Sequence, residues 1–198
     1  MAQILLGAAA FALGFGFDWA SWRRSAVLKP VLELATVACF LAALLWTLAT
    51  PGRWGWPAWV AVVGWPLVAA GAALLAYSLF FEIPFAATYA RPGSGDVLVT
   101  TGTYALVRHP GVLWLGLLLA GLALVSRGRL MLVAGAIWLL CDIVYVWLQE
   151  AFLFRRMFPG YEEYQGTTPM LVPTAQSLAR CLHSLPLRRV NPPAAQQE

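Results

Sequence analysis

The chain has 198 residues, 61% of them hydrophobic and 11% charged, with a formal net charge of +4. Soluble domains carry about 25% charged residues, so this composition excludes an ordinary soluble globule and marks an integral membrane protein. The small positive charge requires no nucleic-acid partner, because the bias of Lys and Arg toward one side of a membrane accounts for where it sits.

A helix needs about 20 apolar residues to cross a hydrocarbon core about 30 Å thick. Five runs approach that length: Ile4–Ala20, Val31–Ala49, Ala58–Phe81, Val112–Val125 and Leu130–Leu148. The fourth is short and is expected to borrow from His109–Gly111 or from Ser126. The expected fold is therefore an all-α membrane protein with five transmembrane helices, the last two forming a C-terminal helical hairpin.

In the first run, Gly7, Gly14 and Gly16 permit close helix approach in lipid. Met1-Ala-Gln carries no basic residue and the cluster Arg23, Arg24, Lys29 follows the apolar segment, which argues against a cleaved signal peptide. Five crossings with the N-terminus outside put ten Lys and Arg residues inside and only Arg53, Arg127 and Arg129 outside. That bias predicts a cytoplasmic C-terminus. The second run follows Pro30, and Glu33 lies close enough to its start to reach interfacial water. Trp54 and Trp56, in the turn-rich loop Thr50–Pro57, suit an outer aromatic belt. Pro66 predicts a kink in the third run.

Glu82 to Thr103 reads as one extended non-helical section, punctuated by Pro84, Pro92, Gly93, Gly95 and Gly102, with at most a short strand at Val97–Val99. Bundle helices are joined by about 2–8 residues, so a longer inner loop is expected to carry function. Ser126–Arg129 joins the fourth and fifth runs and forces an antiparallel hairpin. On the fifth, Trp138, Asp142, Tyr145 and Gln149 share one helix face. A carboxylic acid in a membrane helix faces the bundle interior or water, so Asp142 points inward, either for a ligand or to bond a neighbouring helix.

Ala151–Phe158 is expected to continue as an interfacial helix as far as Pro159-Gly160, and Pro169 and Pro173 impose an extended path. Ser177–Arg189 reads as a short basic helix, with Leu178, Leu182 and Leu185 on one side, resting on an anionic leaflet of membrane lipids. His183 belongs to that surface. Cys39, Cys141 and Cys181 form no CxxC pair and read as structural.

No nucleophile–base set, metal cluster or phosphate loop stands out. What remains is Tyr104, Arg108, His109, Glu150, Tyr161 and Tyr164, gathered at one membrane face because the hairpin returns to the side it left. Such a set offers cations for a carboxylate, an acid for an ammonium or ribose hydroxyl, and rings for an adenine or a sulfonium. Those are the needs of S-adenosylmethionine, and an interfacial salt-bridge cluster is the plainer alternative.

Gly102-Thr-Tyr-Ala-Leu-Val-Arg-His-Pro110, the two-helix hairpin, Gln149-Glu150, Phe154-Arg-Arg-Met-Phe158, Tyr161-Glu-Glu-Tyr164 and Pro169-Met-Leu-Val-Pro173 together resemble the isoprenylcysteine carboxyl methyltransferase family and its phospholipid methyltransferase relatives. The resemblance covers 96–173. It implies a membrane-embedded, S-adenosyl-L-methionine-dependent methyltransferase with a cytoplasmic cofactor-binding loop and tail. The acceptor would be lipophilic and enter from lipid: an isoprenylcysteine-like carboxylate, a thiol or an aminolipid. Carried over by position, Tyr104, Val107, His109 and Glu150 would contact the cofactor, and Tyr161 and Tyr164 would close its pocket. Arg108 and Arg155 would be the catalytic pair that orients the acceptor or the methionyl carboxylate. Glu150 is expected to face the cation as a lone acid. No metal is implied.

The implied domains are a three-helix scaffold and inner loop (1–95), a methyltransferase core (96–175) and a basic interfacial tail (176–198). Three residues depart from the family pattern: Thr103 where a Pro is common, Trp114 where a Tyr follows shortly after Arg-His-Pro, and Gln149 where a Glu pair is common. Gln149 removes a negative charge beside the cationic cofactor, and Trp114 would alter the wall nearest the transferred methyl. A non-catalytic membrane scaffold that keeps the fold is the competing reading.

Overall fold

A computed structural model describes residues 1–84 and 97–185. Expectations resting on Arg91, Pro92, Gly93, Gly95, Arg188 and Arg189 lie outside the described residues. Backbone polar groups in hydrocarbon must be satisfied within the segment, so the apolar runs become helices. These are α1 (Ala2–Trp22), α2 (Leu28–Ala49), α3 (Val60–Ala76), α5 (Pro110–Ser126) and α6 (Arg129–Leu148). Two of them run on through π-helical turns: α3 into Tyr77–Glu82, and α6 through Gln149–Phe154 into α7 (Arg155–Met157). Short helices α4 (Thr103–Leu106), α8 (Tyr161–Thr167) and α9 (Ala175–Ser184) complete the described chain.

Four helices are long and apolar enough to cross a membrane: Ala2–Trp22, Leu28–Ala49, Val60–Glu82 and Arg129–Met157. The fifth apolar helix, Pro110–Ser126, has 17 residues. It takes Ser126 at its end, as expected, and starts at Pro110. α3 continues through Pro66 without interruption. Val97–Val99 forms no strand, and α8 is a helix in a stretch for which no element was expected.

The bundle is two tight helix pairs around α6. α1 packs on α2, α3 packs on α5, and α6 touches both α1 and α5. The α3–α5 pair is close because its contact positions are glycine. A Cβ on Gly64 would lie 2.8 Å from the Gly121 carbonyl, and one on Gly71 would lie 2.5 Å from the Leu118 nitrogen. Small residues at such positions let backbones meet where lipid supplies no hydrophobic drive between helices. Gly7 of α1 leaves room for the Trp138 indole, which donates to the Ile4 carbonyl at 3.0 Å. Around that contact lies the core of Ile4, Leu115, Leu119, Met131 and Trp138.

At one end, the α2–α3 loop docks on the α5–α6 turn. Trp54 N donates to Arg127 O at 2.7 Å, Arg129 N to Gly52 O at 3.1 Å, and the Arg127 guanidinium to Trp56 O at 3.1 Å. At the other end, Arg23 lies over Trp19 and Trp22, and Arg156 of α7 also approaches Trp22, 6.0 Å from the ring centre. α2 and α3 do not form a packed pair. Both turn large apolar side chains outward, among them Leu34, Leu45, Val62 and Trp65.

Candidate functional site

Three pieces far apart in sequence meet at the end of the bundle that carries α7. The first is the link between α4 and α5. A residue before proline is pushed out of the helical region, so His109 stands at φ −125°, ψ 69° ahead of Pro110, and Val107 is extended. The second is the wide π-helical turn after α6, which buries Gln149, Glu150 and Leu153 together. Such π-helical turns recur at functional sites. The third is α8 and the extended run behind it: Arg108 N donates to Pro169 O at 2.9 Å and His109 N to Met170 O at 3.3 Å.

Glu150 ties the pieces together. Its Oε1 accepts from Arg108 Nε at 2.7 Å, from Tyr161 Oη at 2.9 Å and pairs with His109 Nε2 at 2.8 Å. Its Oε2 accepts from Arg108 Nη2 at 2.8 Å and Gln165 Nε2 at 3.0 Å. The remaining Arg108 nitrogen donates to the carbonyls of Thr168 at 2.5 Å and Gln165 at 3.3 Å. Burial opposes charge on Arg108, but the Glu150 carboxylate more than offsets it and holds the guanidinium above its ordinary value. Burial and then the Glu150 charge push the Tyr161 phenol well above the tyrosine range. Tyr164 is raised chiefly by burial, and its hydroxyl donates to Tyr104 O at 2.6 Å.

Glu150 is thus no lone acid facing a cation. Both its oxygens are filled by protein donors, so it organises the site, and a ligand would meet its partners instead. Beside it, aromatic rings form a continuous wall. His109 stacks on Phe154 at 5.8 Å, Tyr161 meets Phe154 edge-on at 5.4 Å, and Tyr164 meets Tyr161 at 5.9 Å.

This wall borders a cavity of about 530 Å³ whose lining is shared by α1, α2, the end of α3, α5 and α6. Tyr104, Arg108, His109, Tyr161 and Tyr164 all line it. Three other expected site residues do not. Val107 is fully buried in packing, Glu150 sits behind its donors, and Arg155 is exposed, donating to Gln165 Oε1 at 3.1 Å with Glu162 at 4.0 Å. Arg155 thus stands apart from Arg108, with which the resemblance paired it. Trp114 also stands away from it, on the α5 face whose backbone meets Gly71 of α3, and its indole nitrogen is buried without a partner among the described residues.

The sequence reading missed Asp18 as a site residue, placing it only at the end of the first apolar run. It is buried, and its Oδ2 accepts from Tyr145 Oη at 2.6 Å and Gln149 Nε2 at 2.7 Å. This contact explains Gln149, because an amide can donate to Asp18 where a second carboxylate would repel it. Thr103 has a local reason too: its N–H donates to Glu82 Oε1 at 2.8 Å and its hydroxyl to Glu82 Oε2, bonds a proline would forfeit. Phe154 and Phe158 bound one of the motifs that carry the resemblance, but no role was assigned to them. Their role in the wall follows from the π-helical turn, which no local pattern announced.

Asp142, Tyr145 and Gln149 point into the bundle on the shared face that the spacing predicts, and all three line the cavity. His183 lines a separate groove between α8 and α9 with Glu163, Thr167 and Arg180. On α9, Ser177 and Cys181 are buried while Leu178, Leu182 and Leu185 are exposed. No known family model, curated protein or solved structure matches this chain.

Proposed function

We propose that the protein is an integral membrane methyltransferase that uses S-adenosylmethionine and acts on a lipophilic or membrane-partitioning acceptor. The observation that carries this reading is the cavity. One end is an aromatic wall braced by the buried Arg108–Glu150–His109 cluster, and the apolar body is lined by the half-exposed Val37 and Leu41 of α2 and by Leu75 of α3, the side we assign to lipid entry. A site for a water-borne cofactor and a lipid-borne acceptor needs two such sides. The volume falls in the usual range for small-molecule sites, about 300–1,000 Å³.

The wall residues fit the cofactor's chemistry. His109, Phe154, Tyr161 and Tyr164 offer faces and edges for an adenine ring and π-electron density for a sulfonium. When bound, S-adenosylmethionine supplies a methyl group on a sulfonium that leaves without metal or acid assistance. The protein's work is then to position: the Glu150 cluster fixes the ring of His109 and the phenol of Tyr161, and fixed orientation is itself a large catalytic term. In the membrane we place the Arg23 and Arg156 end in the cytoplasm and the Arg127 end outside, with Pro110–Ser126 as a fifth, shorter crossing. Ten Lys and Arg residues against three support that orientation.

The test is calorimetric titration of S-adenosylhomocysteine into the purified full chain in neutral detergent. Wild type should bind saturably, and Phe154→Leu, which removes a ring without touching Glu150, should weaken binding at least about tenfold, in line with about 1–3 kcal/mol per stacked base. A well-folded wild type that binds nothing would refute the reading and leave a scaffold role.

A further inference from the structure

One buried group inside the cavity is left without work by the reading above. Asp142 is 8% exposed, lines the cavity on α6 and makes no hydrogen bond to any described residue. Phe11, Phe40, Leu115 and Val146, which share this wall, cannot donate, and the Tyr145 hydroxyl is given to Asp18. The other acid in the cavity, Asp18, already holds Tyr145 and Gln149. Arg108, the cavity's cation, is spent on Glu150 and the α8 carbonyls. A polar group at membrane depth with no partner is costly, and such residues face a ligand or water path.

We propose that the cavity takes an amphiphilic amine: a positively charged nitrogen paired with Asp142, and a hydrocarbon chain leaving past Val37 and Leu41 of α2. The charge complementarity is one-sided. A carboxylate amphiphile would bring a second negative charge beside Asp142, with Arg108 already neutralised, and an alcohol or thiol would leave the ionic pairing unmade. The site therefore selects an amine among the lipophilic acceptors open to it. For this amine to be the methyl acceptor, its ammonium must first give a proton to the Asp142 carboxylate; the freed lone pair then takes the methyl as the carbon–sulfur bond breaks and the thioether leaves. That step rests on the methyltransferase reading; that the amine binds does not.

The probes are octylamine, octanol and octanoate, titrated calorimetrically into the full chain in neutral detergent, with empty micelles as the blank. Octylamine should bind saturably and at least about tenfold tighter than octanol, the gain of one charge-assisted hydrogen bond, and octanoate should bind weakest. Asp142→Asn should erase the preference for the amine while leaving S-adenosylhomocysteine binding within about twofold of wild type. Should that variant fail to fold, Asp142→Leu, which replaces an unpartnered acid by a hydrocarbon, gives the same readout. Equal affinity for the three probes, a preference for octanoate, or an amine preference that survives loss of the carboxylate would each overturn the proposal. Amine binding without S-adenosylhomocysteine binding would uphold the amine site and sink the methyltransferase reading. Cofactor binding with no amine preference would do the reverse.

Discussion

Removing the Glu150 carboxylate should damage the fold before it damages any chemistry. The Arg108–Glu150 pair is almost wholly enclosed, with side chains 10% and 9% exposed, and His109, Tyr161 and Gln165 converge on the same two oxygens. Glu150→Ala strands a buried guanidinium and three further donors, and breaking a buried pair from one side costs about 3–5 kcal/mol. Glu150→Gln should cost less. Its carbonyl can keep the three donors at the Oε1 position, but its amide would face Arg108 Nη2 and Gln165 Nε2, two donors left unmet at about 1–3 kcal/mol. The assay is denaturant unfolding in micelles without ligand, followed by fluorescence of the ten tryptophans. Pairing Glu150→Ala with Arg108→Ala in a double-mutant cycle isolates the shared term, which contacting residues put at about 0.5–3 kcal/mol. Strict additivity of the two substitutions, or a Glu150→Ala protein within about 1 kcal/mol of wild type, would refute the reasoning.

Gln149→Glu would restore the acid pair common in the family that the sequence resembles, yet here it sets a carboxylate against Asp18, 2.7 Å from the present amide nitrogen. Stability should fall by about 1–3 kcal/mol in the same unfolding assay, and Asp18→Asn in the same chain should recover most of the loss. For pH, Tyr161 and Tyr164 both carry phenols raised by the fold. Their neutral forms are favoured by the native state, so their contribution is complete below the unfolded value of about 10 and is lost as pH rises beyond it. Melting temperature should therefore drop above about pH 10. Tyr161→Phe should start lower, having lost its bond to Glu150, and should drop less; a parallel decline in wild type and variant would reject the assignment.

What the sequence determined by itself was everything that rests on hydrophobicity and helical period. The apolar runs established a helical membrane protein, because hydrocarbon leaves the backbone no other economical choice. The spacing of Trp138, Asp142, Tyr145 and Gln149 determined an inward face, since residues three and four apart share one side of a helix. Ser126–Arg129 ensured that Arg108-His109 and Gln149-Glu150 return to the same end. Only the tertiary structure decided what those residues touch. Asp18 reaches Gln149 across 131 positions and Glu150 meets Arg108 across 42, and no local pattern encodes such pairings. Nor could it show that Arg155 turns to the surface, that Trp114 sits on the α5 face against α3, or that Asp142 and the aromatic wall line one cavity. A residue's period says which side of its own helix it occupies. Whether that side meets a partner, a cavity or lipid depends on where the other helices stand, and close contacts such as Gly71 against Leu118 and Gly7 against Trp138 set that.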